Sequence, residues 1–371
     1  MRKLVLLILT TAIGIVGCNG PDDQINCQFN EQEMLANYAD GIIIPRFDEL
    51  NLSLLLLESS TQQLASTPTV DLLNEARITF GVAYQQYQEC SMFSFGPGLI
   101  GGVSFRIRFN TFPCNTTTLN DNIQNATDVA SAQPSAVGFP ALDHLLFGEP
   151  GTSDAEVLAS FTTDANAAAR LAYLTALVSE LKSTSNGIVN GWSASGGNYR
   201  DAFVANVGTA EGTSISLLVN EFNYDFETLK NFKFKIPLGQ FNGGVVLPAQ
   251  VEAYYSGGSK VLAERQLTAF NEMYEGIGSD GSNGVGLYEY VACLQTRVSG
   301  GDLLADAIND QFQLIAASLS AIPAPLSQSL VSDKPLVEAA YSNLQMMVPL
   351  IKYELTSALA VQINYQDNDG D

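Results

Sequence analysis

The sequence predicts an all-α fold, its helices packed as bundles. Three observations predict it. Apolar residues recur at helical rather than alternating spacing over most of the chain. Gly- and Pro-rich breaks such as "SFGPGLIGG", "SASGGNY" and "PLGQFNGGVVLP" fall between the periodic segments, where helices should stop. Alternating apolar patterns are few, the best being Val103 to Phe109, which reads as a marginal strand.

In chain order, the periodic segments predict helices at about 31–65, 69–92, 154–182, 209–231, 259–275, 284–298, 303–322 and 334–357. The 154–182 segment puts Val157, Phe161, Ala168, Leu171, Leu174, Val178 and Leu181 on one face, with Ser153 and Asp154 as caps and Glu156 in the first turn. The clearest stripe is Leu304, Ile308, Phe312, Ile315, Leu319 and Ile322. Helix counts are similar on either side of position 205. This divides the chain into a domain over 29–205 and another over 206–371, behind a linker at 18–28.

The first 17 residues read as a processing signal. Arg2 and Lys3 precede an apolar run, Leu4 to Val16, too short to span a bilayer. The run ends in "IVGC", which resembles a bacterial lipobox and implies cleavage before Cys18 and lipidation of that cysteine. Asn19 at the next position implies outer-membrane sorting, on the periplasmic side or the cell surface. No later segment reaches the length of a membrane span.

Removing 1–17 takes two bases and no acid, which leaves 15 bases against 39 acids and moves the balance from −22 to −24. A field of that sign disfavours nucleic acid and attracts cations. At 46% apolar, the chain has ample material for a large core. Cys27, Cys90, Cys114 and Cys293 stay available for disulfides in an oxidising envelope, with Cys90 and Cys114 the nearest pair after Cys27, or as buried thiols. No CxxC spacing exists.

His144 is the only histidine. That excludes an HExxH zinc site, and a Ser–His–Asp triad would have to be built on His144 without a G-x-S-x-G elbow. Asp143 is not an orienter for it, because helix neighbours point about 100° apart. Hard metals stay open through carboxylates and tyrosines. The tail "YQDNDGD" sets Asp367, Asp369 and Asp371 at alternate positions like the opening of a calcium loop, but it lacks the later ligands and reads as a solvated tail or a metal contact.

Several blocks together resemble the imelysin-like family, in its Bacteroidetes-type lipoprotein branch. They are "AYQQYQECSMFSFGP", "RFNTFP", "GFPALDHLLFG", "GGVVLPAQVEAYYSGGS", "LSAIPAPL" and "INYQDNDGD". The resemblance implies an all-helical envelope protein associated with iron uptake, in a family first classed as peptidases. It also implies two helical-bundle domains packed against each other with a cleft between them, and a Gly-x-His-x-x-Glu motif that helps form a site there. Here Gly138 matches the glycine, Pro140 stands in place of the histidine and Asp143 in place of the glutamate. Proline offers no ligand atom, and His144 is out of register.

Leu142, Leu145, Leu146 and Phe139 are expected to pack, with Asp143 in or just after the first turn of its helix, where the dipole favours a carboxylate. Arg108 and Asn110 reach the cleft or brace a loop. Glu89 forms a surface helix pair or a cleft contact, and Tyr255 offers a phenolate or packs. The function expected is a non-catalytic binding component for iron, haem or an envelope partner. The alternatives are an imelysin-type metallopeptidase using iron or another divalent or trivalent metal, and a scaffold without metal.

Overall fold

A computed structural model describes residues 27–365. Helix follows helix through this range, and the only sheet among the described residues is a two-stranded hairpin. The helix Ile44–Ser66 packs on both Val70–Cys90 and Ala167–Trp192. Ser259–Glu275 packs on Val70–Cys90 from the other half of the chain, and on Leu304–Ser320, which in turn packs on Lys334–Val348. One apolar cluster runs through all of them, from Met34 to Val361. No described helix is long and apolar enough to cross a membrane.

The stripe from Leu304 to Ile322 is buried at every expected position. Other segments differ in detail. The 154–182 segment is two helices, Asp154–Thr162 and Ala167–Trp192, and at the break Ala167 rather than Ala168 turns inward. The first begins with a capping box between Ser153 and Glu156, which satisfies two amide donors at the helix start. Three of the long helices contain a turn of i→i+5 hydrogen bonds, Tyr38–Ile43, Asn231–Lys235 and Pro349–Leu355, a widening rare in proteins and frequent at functional sites.

Val103 to Phe109 is not a strand. Only Val103–Ser104 (β2) pairs, antiparallel to Leu99–Ile100 (β1), through a turn at Gly101 and Gly102, both with positive φ. Arg106–Phe109 is helical. The alternation misleads because its buried members, Phe105 and Phe109, are also four apart on a helix face, while Val103 and Ile107 are exposed.

The cysteines pair over the longest distance available. Cys27 and Cys293 form a disulfide with a sequence separation of 266, and Cys90 and Cys114 carry free thiols. Proximity in sequence points to the wrong pair, because Cys90 is buried in the core at the end of its helix.

Candidate functional site

The helix Gly138–Phe147 starts against the backbone of the Arg106–Phe109 turn. Gly138 has φ +71°, and a Cβ there would stand 2.3 Å from the Phe109 carbonyl and 2.4 Å from that of Arg108. Only glycine allows that approach. Pro140 lies in the first turn, where its missing N–H costs nothing. Phe139, Leu142, Leu145 and Leu146 are buried as the pattern predicts, with Phe139 stacked 4.5 Å from Tyr84.

Asp143 does not serve the start of its own helix. It sits five residues past Gly138, fully buried, and its two carboxylate oxygens accept the backbone N–H groups of Tyr255 (2.9 Å) and Ser256 (3.0 Å). It therefore holds a turn between Ala253 (φ +49°) and Gly257 (φ +73°). Burial pushes its carboxyl up to about 7, against the hydrogen bonds from Ser256 and Tyr255 that favour the anion.

His144 faces Tyr255 edge-on, ring centres 4.7 Å apart, with Nδ1 3.8 Å from a Glu149 oxygen. Burial, helped by Arg170, pushes the imidazole down to about 4, so it is neutral at physiological pH. The Cys114 thiol is pushed up to about 12, by burial first and then by Asp143 and Glu149. A cavity of about 10 Å³ between Pro140, Asp143, Cys114 and Tyr255 holds at most one water. On the outer side, Tyr254 and Tyr255 form part of the wall of an open groove of about 660 Å³. Pro150, Pro248, Pro325 and Gln328 are also part of its outline, and no charged side chain among the described residues lines it.

The other expected site residues are dispersed. Arg108 braces a loop: it donates to the carbonyls of Val129 and Ala132 (both 2.6 Å) and pairs with Glu180. Glu89 is not on the surface. It is 2% exposed, pairs with Arg265 and lies 3.9 Å from the buried Arg46. Asn110 accepts the Tyr84 hydroxyl (2.5 Å) and donates to Glu252 (2.7 Å). Cys18, Asp367 and Asp369 lie outside the described residues.

Glu252 opens a cluster that the sequence reading missed. Its carboxylate accepts from Gln88 (3.0 Å) and Asn110 and pairs with the buried ammonium of Lys233 (2.7 Å), which also donates to Gln88 (2.7 Å). Lys233 projects from the Asn231–Lys235 widened turn. Beside it lies a second buried group. Asp225 accepts from Ser91 (2.5 Å) and Gln266 (2.9 Å), with the Arg106 guanidinium 3.7 Å away, itself bonded to Glu221 (2.7 Å) and the Ser91 carbonyl (2.9 Å). Between these groups is a cavity of about 210 Å³. One signal was present in the sequence: Glu252 is the only charged residue between Lys235 and Lys260, and a lone carboxylate in so apolar a run needs a buried partner.

A metal does not fit the motif. Pro140 has no donor atom, both Asp143 oxygens are taken by backbone N–H groups, and no group of three or more His, Cys, Asp and Glu side chains among the described residues converges to hold an ion.

With that geometry in place, the likeness to known proteins is specific. The family model described as Imelysin matches residues 43–346. The chain is 24% identical over 348 residues to iron-regulated protein A of Synechococcus elongatus, covering 89% of this chain and 88% of that one. A crystal structure of a candidate iron-regulated protein A precursor from Parabacteroides distasonis superposes with a TM-score of 0.73 at 15% identity, over 89% of this chain and 95% of that one. An imelysin-like protein from Psychrobacter arcticum gives 0.68 at 19%, over 90% and 97%. At these identities the solved structures speak for the fold, and the family match covers most of the chain. The protein belongs to the imelysin family.

Proposed function

We propose that the protein is a non-catalytic binding component of the bacterial envelope, held at the outer membrane by a lipid on Cys18, that serves iron acquisition by holding iron in a carried form such as haem. The carrying observation is the use made of Asp143. Its carboxylate fixes the turn that sets Tyr254 and Tyr255 in the groove wall, instead of standing open to an ion. At about 660 Å³ the groove is within the range of cofactor sites, and the cavity beside Lys233 is below it. Tyrosine is an established haem ligand and a hard donor for ferric iron. Burial, then Cys114, Glu149 and Asp143, push the Tyr255 phenol well above its ordinary range. The phenol therefore keeps its proton at physiological pH and would release it on meeting ferric iron.

A metallopeptidase would need an open metal position and a base, and none of the described residues around Pro140 and Asp143 supplies them. The family link to iron enters through the relative named iron-regulated protein A. The test is titration of the protein with ferric haem, read by the Soret band, beside metal content by mass spectrometry. One haem per chain, with a spectrum altered in Tyr255→Phe and no tightly held bare ion, is the expected result. One bare ion per chain, lost in Asp143→Ala, would overturn the reading and restore the peptidase. Neither haem nor metal would leave a scaffold for an envelope partner.

A further inference from the structure

The 210 Å³ cavity is separate from the groove and differs from it in chemistry. Its polar wall combines two cations, Arg106 and Lys233, with two acceptors, Asp225 and Gln266. Its apolar wall is made of Tyr87, Ile107, Phe112, Tyr224 and Phe232. Two bonding capacities in that polar wall are unfilled among the described residues. Gln266 is 1% exposed, and its Nε2 donates to Asp225 and Ser91, which fixes Asp225 in the wall. The Lys233 ammonium has three N–H donors, and two are engaged, by Gln88 and Glu252. Asp225 keeps one oxygen 3.7 Å from Arg106, beyond hydrogen-bond reach.

We propose that this cavity binds a small zwitterion of the α-amino acid class, its ammonium on Asp225 and its carboxylate on Lys233 and Arg106. The volume suits a molecule of that size and excludes a haem. The charge balance supports a zwitterion over an anion. Arg106 and Lys233 are opposed by Glu221, Asp225 and Glu252, so the surroundings carry one net negative charge and reject a lone carboxylate. Burial works against the charge on Arg106, but Glu221 and Asp225 outweigh it and raise the guanidinium. The Asp225 oxygen that Arg106 does not reach is the acceptor left for an ammonium. The apolar wall then receives the side chain.

The experiment is calorimetry of the whole protein against the free amino acids, with two control probes for any that binds: its α-hydroxy acid, which lacks the ammonium, and its decarboxylated amine. One amino acid bound per chain, with both probes at least tenfold weaker, is the expected result. Asp225→Asn, shown by its thermal melt to be folded, should weaken the amino acid at least tenfold. No heat from any amino acid overturns the proposal, as does a hydroxy acid or amine that binds equally well. Because the readout is not iron or haem, its failure leaves the groove reading untouched.

Discussion

Asp143 and Glu252 are both fully buried carboxylates, and both act on the segment from Glu252 to Gly257, but through different partners. Asp143 holds a turn: it accepts from the amides of Tyr255 and Ser256 and from the Ser256 side chain, and no cation forms an ion pair with it among the described residues. Glu252 holds side chains, with Lys233 as counter-charge and Gln88 and Asn110 as donors. The acid at the motif position has become a brace for a turn. The acid outside the motif anchors the ionic cluster beside the smaller cavity. The residue that a motif singles out and the residue that organises charge are therefore different ones here.

The largest way to break this comparison is Glu252→Ala. It leaves the Lys233 ammonium buried without its counter-charge, and removing one partner of such a pair costs about 3–5 kcal/mol. Adding Lys233→Met should recover most of that loss in a denaturant titration. A double variant no more stable than the single one would mean that Glu252 acts on backbone as Asp143 does. Asp143→Ala should cost less, about 2–4 kcal/mol for two charge-assisted hydrogen bonds to buried amides. Its signature is local: hydrogen exchange at Tyr255 and Ser256 should accelerate. Unchanged exchange there would refute the bracing role.

The pH dependence sharpens the contrast between Asp143 and its neighbour. The Asp143 carboxyl titrates near 7 when folded and near 3.9 when unfolded. Between those values the folded chain holds a proton that the unfolded chain has released, so stability falls as pH rises. The His144 imidazole titrates near 4 when folded and near 6.5 when unfolded. In that window the unfolded chain holds the extra proton, so stability rises with pH. At about 1.4 kcal/mol per unit the upper bounds are about 4 kcal/mol for Asp143 and about 3 kcal/mol for His144, and over pH 4–6.5 they oppose. Denaturant midpoints measured across this range should be nearly flat in the parent, rise with pH in Asp143→Asn and fall in His144→Gln. Parallel slopes in the two variants would show that neither group is shifted as the burial requires.

The helices were legible because helical periodicity is a local property, and the Leu304–Ile322 stripe carries it without interruption. Val103–Phe109 was not, because two phenylalanines four apart satisfy both periods and only the packing decides. The site was legible in its glycine and proline, whose constraints are backbone constraints written at their own positions. It was not legible in its acids. Glu89 next to Gln88 reads as a surface pair until Arg265, 176 residues on, is folded against it. The partners of Asp143 are amides 112 and 113 residues away, and every sequence contains amides, so nothing marks them. The disulfide spans 266 residues for the same reason: pairing follows the fold and not the spacing.

The smallest expected effect separates the turn from what it presents. Tyr255 contributes its amide to Asp143 and its ring edge to His144, while its hydroxyl makes no hydrogen bond among the described residues. Tyr255→Phe keeps both contacts and removes only the oxygen, so stability should change by less than about 0.5 kcal/mol in thermal and denaturant melts. A loss above about 1 kcal/mol would make the hydroxyl a structural group and remove it as a ligand for an incoming cation. An unchanged melt would leave an oxygen at the groove wall that the fold does not need, on a turn that Asp143 holds in place.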